Sequence, residues 1–455
     1  MDTNPQTLPP PVNTTLPLRY FAYGLVSLAV FGAALPFLAQ DALVQHHYTH
    51  HTVALTHLVV LGWITTIILG AAIQLVPVAL GVPLHSARLA RWTFWCHATG
   101  VTGMVASFWI WNFHVLLWFG SLVAAGLSLF IYNMARTLRK MPAHDLVSIH
   151  LATALAYLAI TFLAGEYLMH DKLGMFSPFG VLGAIHAHAH LAAMGWIVIM
   201  MIGVSYRLVP MFTLSKIQNT RRAWMAYLYL NMGIIGIFIG LLLQAAWLPI
   251  PVLIAGTGLS FWLWEMLAIV RDRKRPNLDG ALKQARVALA HLPPLFLIGL
   301  WLSWPRPSLT FWTAQGQTSY GVLAFMGLIS LFIVAMLYKI IPFLVWYHVY
   351  APQVGLRPVP KLTDLYSERL RRWAFGVYLA GVWSTAGFSL MGDKLPLAFA
   401  QAAAGLMALG IGMTVFNLAT PMIHIWRHHD CPLSRWLKGG PSAAMHGPLH
   451  AGDVS

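Results

Sequence analysis

Long apolar runs broken by short polar clusters dominate the chain, and most of them reach the roughly 20 residues that an α-helix needs to cross a bilayer. They predict about twelve spans, near 19–40, 54–80, 92–112, 115–135, 147–168, 184–211, 224–245, 249–270, 286–304, 319–349, 373–391 and 395–426. Helices are expected because backbone groups in lipid must bond within their own segment. The pattern is that of an all-α polytopic membrane protein, in line with a composition that is 58% hydrophobic and 9% charged.

Three of these spans share one design. The stretch from Leu55 to Pro77 returns 133 positions later, aligning His57 with His190, Gly62 with Gly195, Trp63 with Trp196, Gly70 with Gly203 and Pro77 with Pro210. A third copy, 132 positions further on, keeps Gly327, Tyr338 and Pro342 but has Val322 where the histidine stands. A fixed long period of this kind predicts three four-helix arcs, about 1–145, 146–280 and 281–430, within a single membrane domain spanning 1–430. The repeated glycines and prolines read as duplicated close packing and helix ends. Gln74, Arg207 and Lys339, near the inner ends of the three copies, are placed to snorkel to the interface.

Charge sets the expected orientation. Loops with Arg88/Arg91, Arg136/Arg139/Lys140, Lys216/Arg221/Arg222, Arg271/Arg273/Lys274/Arg275 and Arg357/Lys361/Arg369/Arg371/Arg372 alternate with connections nearly free of base. Such loops stay on the cytoplasmic side, which puts both termini in the cytoplasm and the protein in an inner, cytoplasmic-type membrane. The net charge of +15 is then a topological signal and not a nucleic-acid footprint. Met1 to Leu18 lacks a basic n-region and a small-residue cleavage site, so no signal peptide is expected. Cys96 and Cys431 stand alone, without a pattern for covalent haem or a disulfide framework, and the segment 431–455, with Gly439-Gly440-Pro441, reads as a disordered cytoplasmic tail.

The chemistry lies in the histidines, 21 of them against 13 acids. His46, His47, His50, His51, His57, His114, His170, His186, His188 and His190 fall at or just inside the outer face. The others, among them His85, His97, His144, His150, His291, His348 and His428, fall toward the cytoplasm and are expected to be interfacial or solvated. An intramembrane histidine is costly without a partner, and neutral imidazole is a common haem and metal ligand. In His186-Ala187-His188-Ala189-His190, residues four apart share a face and His188 points away from the other two, so one helix can serve two neighbouring sites. The intervening alanines leave room for a flat macrocycle. His46, His47, His50 and His51 have the density for copper or zinc capture at the outer rim, or form a surface loop. His114 and His170 are expected to be second partners or proton carriers, Glu166 a proton relay or a hydrogen-bonded structural acid, and Glu265 structural. Trp63 and Trp196, six residues after His57 and His190, are placed to line a cofactor.

These residues resemble the subunit I superfamily of haem-copper oxidases and nitric oxide reductases. The resemblance covers almost the whole chain: twelve helices, inside termini, arcs of four, and a histidine near the outer end of the second helix, where the family has a low-spin haem ligand, matched by His57. The chain departs from the family at the tenth span, which reads Ser319-Tyr320-Gly321-Val322 in place of His-x-His, and at the seventh, which lacks the adjacent histidines that help to bind copper. The His-x-His character stands instead on the sixth span.

The resemblance implies a divergent membrane cytochrome with one or two b-type haems. His57 and His190, equivalent in the repeat, are the expected axial pair, with His188 or His186 for a second haem or metal. The implied work is electron transfer near the outer face, with nitric oxide or oxygen as acceptor and a quinol, a cytochrome c or a cupredoxin-like subunit as donor. Two other readings stay open: a transporter or handling protein for copper, haem or a small solute, and a haem-based gas sensor or assembly protein.

Overall fold

The computed structural model describes residues 15–427 except His46 and Pro276, and leaves the side chains of Trp426 and Arg427 aside. The tail expected over 431–455 lies outside the described residues, as do His428 and Cys431. Among the described residues every element is helical, and eleven helices are long and apolar enough to cross a membrane. They are Thr15–Ala34, His50–Leu80, Phe113–Leu138, Leu146–Gly174, Val181–Thr213, Thr220–Leu242, Pro249–Arg271, Gly280–Ser303, Phe311–Val349, Glu368–Lys394 and Leu397–Ile425. The helix Ala87–Trp109, whose first turn holds Arg88 and Arg91, completes twelve in the expected order. The chain is a multi-pass helical membrane protein, and its spans are numbered one to twelve below.

Local signals set the ends. Ser86, Asn112, Asp145, Asn219, Asp279, Thr310 and Ser367 each accept a backbone N–H in the first turn that follows, which satisfies donors that a helix start leaves open. The ninth span breaks at Ala290-His291 ahead of Pro293-Pro294, because proline lacks the N–H that a continuous helix requires.

The second, sixth and tenth spans share a backbone feature that the sequence does not announce. Each widens into an eight-residue π-helical segment, at Leu58–Thr65, Leu191–Val198 and Leu323–Ser330. The three segments start at aligned positions, and those in the second and sixth spans follow immediately after His57 and His190. A π segment frees carbonyls from the regular ladder and frequently marks a functional site. In the second span the Leu61 carbonyl, which takes the Thr66 backbone N–H five residues on, also accepts from Thr66 Oγ1 at 2.8 Å and faces His97 Nε2 at 3.2 Å. The aligned Met326 carbonyl accepts from the Tyr378 hydroxyl at 3.1 Å.

Glycines bring the neighbouring helices in. A Cβ on Gly70 would lie 2.6 Å from Tyr20 Cβ of the first span, and one on Gly203 would lie 2.5 Å from His150 Cβ of the fifth. His97, His150 and His291 correct the expectation of interfacial or solvated histidines: they are 1%, 0% and 2% exposed. His97 is held by the π segment, and the Nδ1 atoms of His150 and His291 bond the carbonyls of Leu146 and Val287 one turn back. One nitrogen of each ring is thereby paired, which offsets part of the cost of burying these imidazoles.

The three π-bearing spans contact one another through their indoles. Trp63 Nε1 donates to Ser330 Oγ of the tenth span at 3.0 Å, and Trp196 Nε1 donates to Thr65 Oγ1 of the second at 3.2 Å. Ser330 and Thr65 are aligned positions. The contact runs from second to tenth and from sixth to second span, in one rotational sense.

Candidate functional site

A largely apolar cavity of about 570 Å³ runs along these three spans and is bordered by every other span but the eleventh; it falls within the size range of organic-cofactor pockets. His47, His57, His186, His188, His190, Glu166 and Trp196 all line it. It therefore gathers most of the residues singled out from the sequence.

His57 is aimed by its own helix. Its Nδ1 bonds the Val53 carbonyl one turn back at 2.8 Å, and its ring packs on Phe108 of the third span with centroids 4.5 Å apart. His190 repeats the arrangement, with Nδ1 at 2.8 Å from the His186 carbonyl. A carbonyl that takes the Nδ1 proton leaves Nε2 with its lone pair outward, the state an imidazole needs to ligate a metal or haem iron.

The two histidines do not share a partner. His190 is stacked on Tyr320 of the tenth span, with centroids 6.0 Å apart and planes within 17°. His188, on the other face of the sixth span from His190, lines the same cavity as His57. His188 packs against the fifth span, where a Cβ on Gly165 would stand only 3.3 Å from its Cε1, so the absence of a side chain there gives the imidazole its place. Its ring lies beside the Thr161 backbone of the fifth span.

By repeat alignment Tyr320 corresponds to His188, and Val322 to His57 and His190. His57 packs on Phe108 of the third span and His190 on Tyr320 of the tenth, and His188 lines the same cavity as both. Tyr320 is the residue that sequence reasoning missed as a site residue; its alignment with His188 was the available signal.

The remaining expected residues are spread more widely. Trp63 is fully buried away from the cavity wall and serves packing, whereas Trp196 borders it. His47 Nε2 and His186 Nε2 are 2.9 Å apart at the outer end of the cavity. His51 bonds the Asp41 carboxylate, and His50 packs on His51 and Trp111, outside the cavity lining. His46 lies outside the described residues, and among those described no group of three or more His, Cys, Asp or Glu is arranged to hold a metal ion.

Glu166 lines the cavity near its outer end together with Lys172, whose ammonium lies 5.1 Å from the Tyr48 ring centroid. His170 bonds the Glu166 backbone carbonyl and not its carboxylate; both His170 and His114 are exposed and outside the lining. Glu265 is completely buried, outside the cavity lining; its Oε1 accepts from Gln218 N at 2.6 Å and Asn219 N at 3.0 Å, and its Oε2 forms an ion pair with Arg222 at 3.0 Å. It clasps the loop between the sixth and seventh spans.

Comparison with known proteins gives a partial likeness. The chain is 33% identical over 91 residues to the cbb3-type cytochrome c oxidase subunit CcoN1 of Stutzerimonas stutzeri, a match that covers 19% of this chain and 19% of that protein. The alignment therefore spans about a fifth of the relative's length. No family model matches. The likeness is to one stretch of a cytochrome c oxidase subunit, and it agrees with a multi-pass membrane protein.

Proposed function

We propose that the chain is a haem-binding integral membrane redox protein, like subunit I of the oxidases, that carries electrons near the outer face of an inner membrane. The single observation that carries this reading is that His57, His188 and His190, from two spans, line one apolar cavity. Three four-helix arcs with both termini in the cytoplasm are part of the same proposal, and the basic residues gathered at one end of the bundle support that orientation.

The residues fit a b-type haem. His57 offers Nε2 from the second span, with the Val53 carbonyl fixing its tautomer. His188 offers a second imidazole from the sixth, and the space at Gly165 lets it seat. Phe108 and Trp196 keep water from the cavity walls, which stabilises a flat apolar group between the two histidines. A haem closed by two imidazoles supplies one-electron transfer, whereas one held by a single histidine keeps a position for a diatomic gas. His190 against Tyr320 suits the second kind, with nitric oxide or oxygen as acceptor. Glu166 is placed to hold a proton near the cavity mouth. The donor is a quinol, a cytochrome c or a cupredoxin-like subunit.

A second reading, copper or small-solute handling, draws on the facing His47 and His186 nitrogens at the cavity mouth. The experiment that separates the readings is a set of oxidised and dithionite-reduced visible spectra, with pyridine haemochrome and metal analysis, on the purified protein. One or two b-type haems per chain support the redox reading, and copper without haem supports the second. Haem without turnover of quinol or a reduced carrier would instead indicate a gas sensor or an assembly protein.

A further inference from the structure

A second cavity, of about 160 Å³, occupies the inner half of the bundle between the second, sixth, eighth, ninth and tenth spans. Along the second span it runs from Ile67 to Ala79, and along the sixth from Met200 to Thr213. At 1.5 Å per residue that is about 20 Å of depth, somewhat more than half of the roughly 30 Å hydrocarbon core. Its inner wall is apolar, and the polar atoms on it are already satisfied. Ser205 Oγ donates to the Ile202 carbonyl and accepts from Trp262 Nε1, and Thr213 Oγ1 donates to the Val209 carbonyl. Nothing there calls for a polar ligand or water.

Two of its lining residues differ. Arg207 and Arg286, on the sixth and ninth spans, both border the cavity part way along it, and both are exposed. Arg207 precedes the end of its span at Thr213 by six residues and Arg286 follows the start of its span at Gly280 by six, which puts both about 9 Å inside the helix ends. Among the described residues neither makes an ion pair. The neighbouring carboxylates are engaged: Asp279 by Lys339, Asp272 by Gln218 Nε2, and Glu265 by Arg222 and two backbone amides. Two uncompensated guanidinium groups therefore stand over a dry, chain-length slot.

From this geometry we infer a binding site for one anionic phospholipid, with an acyl chain in the slot and the headgroup phosphate between Arg207 and Arg286. Guanidinium groups match phosphate by paired, charge-assisted hydrogen bonds, and basic pockets between spans on the cytoplasmic side suit such headgroups. The occupant is a lipid and not a free anion because the arginines alone would leave the slot unfilled. The inference does not depend on the haem reading.

The test uses the full chain, delipidated in detergent, with dioleoyl phosphatidylglycerol and dioleoyl phosphatidylcholine as probes. Phosphatidylglycerol is expected to raise the melting temperature and to remain as one bound molecule in native mass spectrometry, while phosphatidylcholine does neither. In R207Q/R286Q binding should weaken about 30-fold, from about one arginine-equivalent of attraction lost at each position. R88Q/R91Q, which removes the same charge from the same end of the bundle, should bind as the native chain does. A71F, which fills the slot and keeps both arginines, should also lose the lipid. Equal response to the two lipids overturns the site, as does an equal loss in R88Q/R91Q. So does a melting shift with inorganic phosphate alone as large as that with phosphatidylglycerol. The comparison of lipids on the native chain decides the matter even where a variant folds poorly.

Discussion

Trp63 donates its indole N–H to Ser330 Oγ across 3.0 Å, joining the second span to the tenth. Trp196 makes the aligned bond to Thr65, and both indoles are almost wholly inaccessible. Each bond therefore satisfies a donor that has no access to water. Removing the acceptor strands it, at a cost of about 1–3 kcal/mol. S330A should lower stability by that amount, whereas adding W63F to S330A should cost less than the sum of the two single changes. Thermal unfolding in detergent across this double-mutant cycle measures the coupling, and additive losses would remove the bond from the packing scheme.

Gly70 and Gly203 are sites of close helix approach, with no room for a methyl group against Tyr20 Cβ or His150 Cβ. G70A and G203A should each destabilise by about 1–3 kcal/mol through overpacking. G405A, where nothing lies within 4 Å of the added Cβ, should instead stabilise by about 0.5–1 kcal/mol because alanine is the better helix former. Opposite signs in the same unfolding assay are the expected outcome.

Glu265 is fully buried and neutralises Arg222 while holding two loop amides. E265Q keeps the shape and removes the charge, leaving a guanidinium without its partner. The loss should be about 3–5 kcal/mol. Proteolysis in the loop containing Lys216 and Gln218 should speed up in this variant before global unfolding does, and an unchanged cleavage rate would speak against the clasp.

His190 and Tyr320 occupy the space next to that of His57 and His188. If His190 holds a second haem with one open position, carbon monoxide added to the reduced protein should shift part of the Soret band. H190A should abolish that part, and H57A should leave it. A native protein with two haems and no response to carbon monoxide would assign His190 to packing against Tyr320.

Much of the fold is legible in the sequence because lipid imposes so simple a rule: each apolar run long enough to cross becomes a helix. The third span was placed at 92–112 but occupies Ala87–Trp109, since Arg88 and Arg91 interrupt hydropathy without interrupting a helix capped by Ser86. The π segments carry no compositional signal; Leu58–Thr65 reads like any apolar turn. The burial of His97 depends on Leu61 and Thr66 of another span, which no local pattern reports. The site was half legible. His57, His188 and His190 stand out as costly residues, whereas Tyr320, stacked on His190, carries no such signal of its own.

The most direct test of the central proposal is the electron paramagnetic resonance and reduced visible spectrum of the native protein beside H57A, H188A and H190A. The expected result is a low-spin bis-imidazole signal that is lost in H57A and in H188A and kept in H190A. A signal that survives in H188A and disappears in H190A would contradict the pairing, and a native protein purified without haem would contradict the cytochrome reading itself.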